Sequence, residues 1–419
     1  MDAHIKFETA PDKVARRITK MRPSAVRLLF AAATREDVIS LAGGMPAVSL
    51  LPKSAVRKAA KAALDKQAVT LQYGGTNGVP EAAAAFCDIV RDIGIRHKPE
   101  NVIITTGAQE ALDLVAKTFC DPGDIIITEG PTYLGALQAF SAYEPDIHTV
   151  PFDDQGMRMD LLEEELKQIG KGNPRLKFLY TIPNFQNPGG VTMSPERRKR
   201  LLELAHEYDL VVVEDDPYGR LRYDGGHCLP LRALDDSVIY LGTISKMFAA
   251  GLRVGWIMAP PGVIAKINLA KQGTDLCGSM FDQMMAAAYF TETPWQNTMQ
   301  KFLKYYSQRR DAMLEALEEH FPAEAAWTHP EGGFFVWVTL PEYVDATSML
   351  AEALDHGVIY APGDSFFPDG KRGRNCMRLN FSYESPENIR EAIRRLAEVV
   401  EDRLELYRVF IAAGAIKEK

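Results

Sequence analysis

The chain has 419 residues, 46% of them hydrophobic and 25% charged, with a formal net charge of −8 at neutral pH. That length supports a large core in two or three domains, and scattered Lys and Arg in an acidic chain exclude an electrostatic footprint for nucleic acid or an anionic membrane. Five cysteines without a C-x-x-C pair, and eight histidines without H-x-x-x-H or H-E-x-x-H spacing, argue against a disulfide framework or a zinc site. The amino-terminal M-D-A-H-I-K-F-E lacks an apolar signal core, and no run is long enough to span a membrane, so a cytoplasmic location is expected.

The amino-terminal stretch reads as an arm, with an amphipathic segment from Ser24 to Ala33 and a short strand from Val38 to Leu41. The strand ends in Gly43-Gly44-Met45-Pro46, which is either a plain loop or a turn that lets backbone come close to a ligand. Pro52-Lys53-Ser54 opens a helix with Val56, Ala59, Ala60 and Ala63 on one face. Tyr73 stands ahead of a flexible Gly74-Gly75, where it either covers a core edge or reaches a ligand. A helix from Pro80 to Ile93 and a strand from Val102 to Thr105 follow, after which Ala108, Leu112, Val115 and Phe119 recur at helical spacing. Gly107 falls at the join of strand and helix, where free N–H groups and the macrodipole favour an anion; a glycine there also serves packing alone.

Ile125 to Thr128 reads as a strand that runs into the loop Gly130-Pro131-Thr132-Tyr133, where the Tyr133 ring can stack on a flat aromatic ligand. Strands alternating with helices predict an α/β architecture, a mostly parallel sheet covered on both faces with ligands at the carboxyl ends of its strands. A helix capped by Asp160 runs to Ile169 and is stopped by Gly170, and the strand Phe178 to Thr181 leads into I-P-N-F-Q-N-P-G-G. Asn187 there is a turn-former or a rigidly held side-chain donor. Ser194-Pro195-Glu196 starts a helix that runs to about Tyr208.

The strand Leu210 to Val213 ends in E-D-D-P-Y, three carboxylates at one strand terminus that call for a cation. Asp215 paired with a pyridinium N–H, with Tyr218 three residues on donating to the phenolate oxygen of the same ring, would answer it. A metal such as magnesium is the alternative. Val238 to Leu241 and Trp256 to Met258 read as buried strands around T-I-S-K-M-F-A-A-G-L-R-V-G, which puts Lys246 at the mouth of the sheet. An amine in a low-dielectric site beside fixed cations loses its proton readily and condenses with an aldehyde to a Schiff base. Thr243, Ser245 and the planar cation Arg253 suit a phosphate dianion. An imine-forming lysine next to an anion cradle suggests pyridoxal phosphate; solvated surface charges in an ordinary loop are the competing reading.

After Lys304-Tyr305-Tyr306 the pattern becomes α+β: a charged helix from about Gln308 to His320, the strand Phe334 to Val338 and a helix near Thr347 to His356. Strands at Val358 to Ala361 and Met377 to Phe381 precede a final helix opened by Ser385-Pro386-Glu387. Arg378 alternates with apolar neighbours in M-R-L-N-F-S, so it points inward and needs a carboxylate from the protein or from a substrate.

Taken together, S-L-A-G-G-M-P, L-Q-Y-G-G-T-N-G, T-G-A-Q-E-A-L, P-T-Y, P-N-F-Q-N-P-G-G, E-D-D-P-Y, T-I-S-K with G-L-R-V-G-W, and M-R-L-N-F-S occur in one order. From about Arg22 onward the chain resembles the fold-type I pyridoxal-phosphate aminotransferases of class I/II, closest to the 2-aminoadipate, kynurenine, aromatic and branched-chain branch. The resemblance implies an arm over residues 1–45, a large cofactor domain over 46–305 with a mostly parallel seven-stranded sheet, and a small α+β domain over 306–419. It implies that Lys246 binds pyridoxal 5′-phosphate and moves the α-proton, that Asp215 holds the pyridine nitrogen, and that Asn187 and Tyr218 hold the phenolic oxygen. Tyr133 would stack on the ring, and Gly107, Ala108, Gln109, Thr243, Ser245 and Arg253 would hold the phosphate. Tyr73 would reach the phosphate of a neighbouring subunit, which implies a homodimer with shared sites. Arg378, with Asn187 and the backbone at Gly44, would bind the substrate carboxylate, and Arg27 is either a helix-surface residue or a partner for an acidic substrate side chain. The N-P-G-G here departs from the usual N-P-T-G or N-P-S-G, which predicts a more mobile loop at Gly189.

The expected activity is transfer of an amino group from an L-amino acid to a 2-oxo acid such as 2-oxoglutarate in two half-reactions. A β-lyase or decarboxylase on the same fold is the rival among enzymes. A non-catalytic effector-binding module, as in regulators that fuse a winged helix-turn-helix to such a domain, is the rival outside them. The short stretch ahead of the shared region and the acidic charge both disfavour the latter.

Overall fold

The structure, a computed structural model, describes residues 13–21, 35 and 37–412. Its strands are β1 (Ile39–Ser40), β2 (Val102–Thr105), β3 (Ile125–Gly130), β4 (Asp146–Asp153), β5 (Gly156–Met157), β6 (Leu176–Thr181), β7 (Val211–Asp215), β8 (Ile239–Thr243), β9 (Gly255–Met258), β10 (Ala326–Trp327), β11 (Phe335–Thr339), β12 (Val358–Ile359), β13 (Ala361–Pro362) and β14 (Cys376–Asn380). The large sheet has the order β2-β9-β8-β7-β6-β3-β4-β5. Its seven longer strands match the expected number, and the two-residue β5 adds an antiparallel edge to β4. Only β9 runs against both of its neighbours, so the carboxyl ends of β2, β8, β7, β6 and β3 share one rim.

Period-two alternation sorts the strand residues between the two faces. Ile103, Ile126, Phe178, Tyr180, Val213, Ile239, Leu241 and Ile257 face the helices Gly107–Phe119 and Pro261–Gln272. On the other face, Ile127, Leu179 and Val212 pack on Met159–Ile169 and Pro195–Tyr208, while Ile104, Tyr240 and Trp256 pack under Pro80–Arg91 and Met280–Glu292. With both faces covered, the strands read as continuous apolar runs.

A second core gathers Leu41, Val336, Val338, Val358, Met377 and Leu379 with the helix Pro386–Ala412. It lies over a four-stranded sheet of order β10-β11-β14-β13, and β1 of the arm pairs in parallel with β12. One helix, Trp295–His320, serves both cores: Phe302 and Tyr306 lie in the first, Ala312, Met313, Ala316 and Leu317 in the second. The junction expected between residues 305 and 306 falls inside this helix.

Several elements differ from the sequence expectation. Asp160 does not cap its helix; that helix opens at Met159 after Arg158, and Asp160 accepts from Arg158 Nε at 2.8 Å. The helix Leu134–Ser141 and the strand β4 occupy a stretch that carries no clear period, the strand because it is mostly half-exposed. Met280–Glu292 is buried nearly all round, so it shows no amphipathic stripe. The segment Ser24 to Ala33, with Arg27, lies outside the described residues. Among the described residues, no helix is long and apolar enough to cross a membrane.

Candidate active site

The loops on the shared rim enclose a cavity of about 370 Å³. Ala108, Gln109, Tyr133, Asn187, Asp215, Tyr218, Thr243, Ser245, Lys246, Arg253, Gly44 and Arg378 line the cavity, and Gly107 stands directly behind its wall. Tyr73 does not line it; that ring is 82% exposed on its own loop.

Lys246 follows β8 and is half-buried, with Nζ donating to the Gly44 carbonyl at 2.9 Å. Burial, reinforced by the Arg253 and Arg378 cations, pulls its amine down to about 8, so a free-base amine is accessible near neutral pH. Thr243 and Ser245 place their hydroxyl oxygens 2.9 Å apart at the same strand end. The helix Gly107–Phe119 begins opposite them with no side-chain cap from Thr106, leaving its first turn toward the cavity. Gly107 has φ +73°, and a Cβ there would meet Arg253 Nη2 at 2.5 Å, so only glycine lets the guanidinium lie on the helix start.

The three carboxylates of E-D-D separate because the strand alternates. Glu214, on the face of Val212, accepts from the Leu231 and Arg232 N–H groups at 2.9 and 2.8 Å. Asp215, on the face of Val213, points with Tyr180 of neighbouring β6, whose hydroxyl donates to Oδ2 at 2.8 Å. Past the strand end, Asp216 accepts from Asn184 Nδ2, the Gly219 N–H and the Tyr240 hydroxyl, each at 3.0 Å. Asp216 is fully engaged in holding its loop. Asp215 is 2% exposed, yet its Oδ1 has no partner among the described residues. Burial pushes its carboxyl up to about 7, against the lowering effect of the Tyr180 bond. Among the described residues, no group of three or more His, Cys, Asp and Glu is arranged to hold a metal ion.

Tyr218 packs edge-on to Phe334 and Phe335, with ring centroids 5.5 and 5.9 Å away, beside the Asn187 side chain. Asn187 Oδ1 accepts from Arg378 Nη1 at 2.9 Å, and Nη2 donates to the Ala42 and Gly43 carbonyls at 2.7 and 3.0 Å. Arg378 lies 4.0 Å from the Phe335 ring centroid, and its Nε has no partner among the described residues. Among them no carboxylate answers this 3% exposed cation, and burial lowers it to about 10. Tyr133 stands at the other side, its hydroxyl 3.4 Å from Gln109 Oε1. Gly189 is buried rather than loose: its N–H donates to Gln186 Oε1 at 2.6 Å, and a Cβ would run into the Phe152 ring.

Sequence reasoning missed Tyr180, Phe335, Met45 and Gln138. Tyr180 carried a usable signal, since it lies on the same strand face as Asp215 once β6 and β7 are neighbours in parallel.

The site therefore offers a buried acceptor without a donor, a lysine amine, and an anion cradle at a helix start, which together fit the ring nitrogen, aldehyde and phosphate of a pyridoxal cofactor. Residues 36–396 match the family described as Aminotransferase class I and II, and the chain belongs to that family. Its cofactor is accordingly pyridoxal 5′-phosphate. Aromatic-amino-acid aminotransferase 1 of Thermococcus litoralis is 47% identical over 388 residues, 92% of this chain and 93% of its own. The kynurenine aminotransferase of Pyrococcus horikoshii, solved in complex with PMP, is 46% identical with a TM-score of 0.89 over 94% of this chain and 98% of its own. The alpha-aminoadipate aminotransferase of Thermus thermophilus, solved with N-(5'-phosphopyridoxyl)-L-leucine, is 38% identical with a TM-score of 0.85 over 94% and 99%.

Proposed function

We propose that this aminotransferase takes the amino group of an aromatic or 2-aminoadipate-type L-amino acid and passes it to a 2-oxo acid, 2-oxoglutarate in the first instance, by a ping-pong route. The observation that carries this reading is one cavity holding both the Lys246 amine and Arg378, a buried guanidinium with no carboxylate partner among the described residues. A substrate α-carboxylate supplies that partner.

Bound there, pyridoxal phosphate supplies an aldehyde carbon for amine exchange and a ring that accepts the electron pair left at the α-carbon. Lys246 Nζ would hold the aldehyde and, as a free amine, would take the α-proton and return it. Its lowered proton affinity suits both tasks. Asp215 Oδ1 accepts from the ring nitrogen and keeps it protonated. Asn187 and Tyr218 hold the phenolic oxygen, Tyr133 covers the ring, and Gly107, Ala108, Gln109, Thr243, Ser245 and Arg253 hold the phosphate. Arg378, with Asn187 and the Gly44 backbone, orients the substrate so that its α-hydrogen faces Lys246.

A homodimer with shared sites belongs to the same reading. Val69, Leu71 and Tyr73 are 48, 70 and 82% exposed on one short stretch, an apolar ridge suited to burial against a second copy. Arg27 remains a candidate for an acidic donor side chain, outside the described residues.

The test is an absorbance titration of the cofactor-loaded enzyme with a panel of amino acids, with Lys246→Ala alongside. Aromatic amino acids and 2-aminoadipate are expected to discharge the visible band with release of the matching oxo acid, and Lys246→Ala to abolish this. Release of ammonia or carbon dioxide instead of an oxo acid would overturn the reading, as would normal turnover in Lys246→Ala.

A further inference from the structure

A buried polar chain behind the cavity joins two of its walls. Glu129, next to last in β3, is 2% exposed and accepts three hydrogen bonds. The Thr181 hydroxyl donates to Oε1 at 2.6 Å, and the Ile182 N–H and Gln186 Nε2 donate to Oε2 at 3.2 and 3.1 Å. Gln186, 1% exposed, also donates from Nε2 to the Pro131 carbonyl at 2.9 Å and accepts at Oε1 from the Gly189 N–H at 2.6 Å. Both donors and the acceptor of that amide are thus engaged. Neither Glu129 nor Gln186 lines the cavity.

The connections run between two separate loops. Pro131 stands two residues before Tyr133 in the loop after β3, and Gln186 stands immediately before Asn187 in the loop after β6. Strand pairing joins β3 to β6 as far as Thr128 and Tyr180, and beyond it the side chains of Glu129 and Gln186 take over the link. Gly189 shapes itself to this arrangement, since a Cβ there would lie 3.0 Å from Gln186 Oε1.

We infer that Glu129 and Gln186 form a brace that fixes the spacing of the Tyr133 and Asn187 walls, which makes both of them positioning residues for the cofactor ring. The inference rests on the roles proposed above for Tyr133 and Asn187. A fixed spacing matters because the ring must be held in one plane while its bonds are remade, and displacements of an ångström at such a site cost rate steeply. Glu129 needs to be an acceptor toward Ile182 and Gln186, but not to be charged. An amide at position 129 can keep its oxygen on those two donors and turn its NH₂ to the Thr181 hydroxyl, which can accept.

The experiment compares holoenzyme variants by visible circular dichroism of the bound cofactor and by the rate of the first half-reaction. Gln186→Met, which keeps volume and removes the amide, is expected to slow that half-reaction by roughly tenfold or more and to lower the ellipticity per unit absorbance about twofold. Glu129→Gln is expected to stay within about threefold of the parent on both readouts, because it retains the brace. If Gln186→Met does not fold, Glu129→Ala carries the same expectation, since it leaves Gln186 without its anchor. Unchanged dichroism and rate in Gln186→Met would overturn the brace, and so would a Glu129→Gln as impaired as Gln186→Met. Tyr133→Ala and Asn187→Ala separate the two levels: if these also leave the dichroism unchanged, the fault lies in their proposed roles rather than in the brace.

Discussion

The two ends of the cavity carry opposite charge and are built in opposite ways. At one end Asp215 is the last residue of β7, and the partner that holds it, Tyr180, lies on the adjacent strand of the same sheet. At the other, Arg378 on β14 of the small sheet is held by Asn187 from the large sheet and by the Ala42 and Gly43 carbonyls of the arm. Among the described residues, each end keeps one unpartnered atom, Asp215 Oδ1 and Arg378 Nε. Strand register alone fixes the acidic end. The basic end exists only when three distant segments assemble.

Exchanging charge at the acidic end is the strongest way to break this contrast. Asp215→Asn is expected to slow α-proton removal by roughly a hundredfold or more, about 3 kcal/mol of barrier, because a neutral pyridine is a poor electron acceptor. Single-turnover kinetics with a deuterated donor would measure it. Asp216→Asn is the matched control: its oxygen can keep the Asn184 Nδ2 and Gly219 N–H donors while its NH₂ turns to the Tyr240 hydroxyl, which can accept, so only about 1 kcal/mol of stability or less is lost and the chemical step is largely kept. Equal chemical defects in the two variants would show that the carboxylates do not divide their work.

Arg378→Lys probes the assembled end. A lysine keeps the charge but not the fork that bonds Asn187 and two carbonyls at once, so KM for amino donors is expected to rise by about 10- to 100-fold. The rate at saturation should fall less than in Asp215→Asn. A kcat loss without a KM change would mean that Arg378 supports the fold and not the substrate.

The same contrast explains what the sequence could convey. Lys246, Thr243, Ser245 and Arg253 act through one local turn between two apolar runs, so spacing alone brings them together. Gly107 at a strand–helix join was legible for the same reason. Asp215 could be told from Asp216 only through its step to Tyr218; the deeper cause, that Asp215 shares the face of Val213 and Asp216 lies past the strand, needs the strand end to be known. Tyr180, Glu129 and Gln186 act across neighbouring strands, and Phe335 comes from the other sheet, so no local pattern marks them. Helices such as Met280–Glu292 escaped because burial on all sides erases the period on which the reading depends.

The smallest expected effect is the most informative about the acidic end. Tyr180 donates to the ionised form of Asp215, which holds down a carboxyl that burial nevertheless raises to about 7. Tyr180→Phe removes that donor without opening space, so the Asp215 carboxyl in the empty site should titrate at still higher pH. With Asp215 as the proposed partner of the cofactor nitrogen, pyridoxal phosphate affinity should weaken as pH falls through this range, and in Tyr180→Phe the weakening should begin at higher pH. At neutral pH the loss should be about tenfold, the worth of one hydrogen bond to a charged group, and it should shrink as pH rises. Fluorescence titration of cofactor binding across pH measures both quantities. A pH-independent loss would mean that Tyr180 only orients the carboxylate, whereas a shifted profile shows that the neighbouring strand also sets its charge.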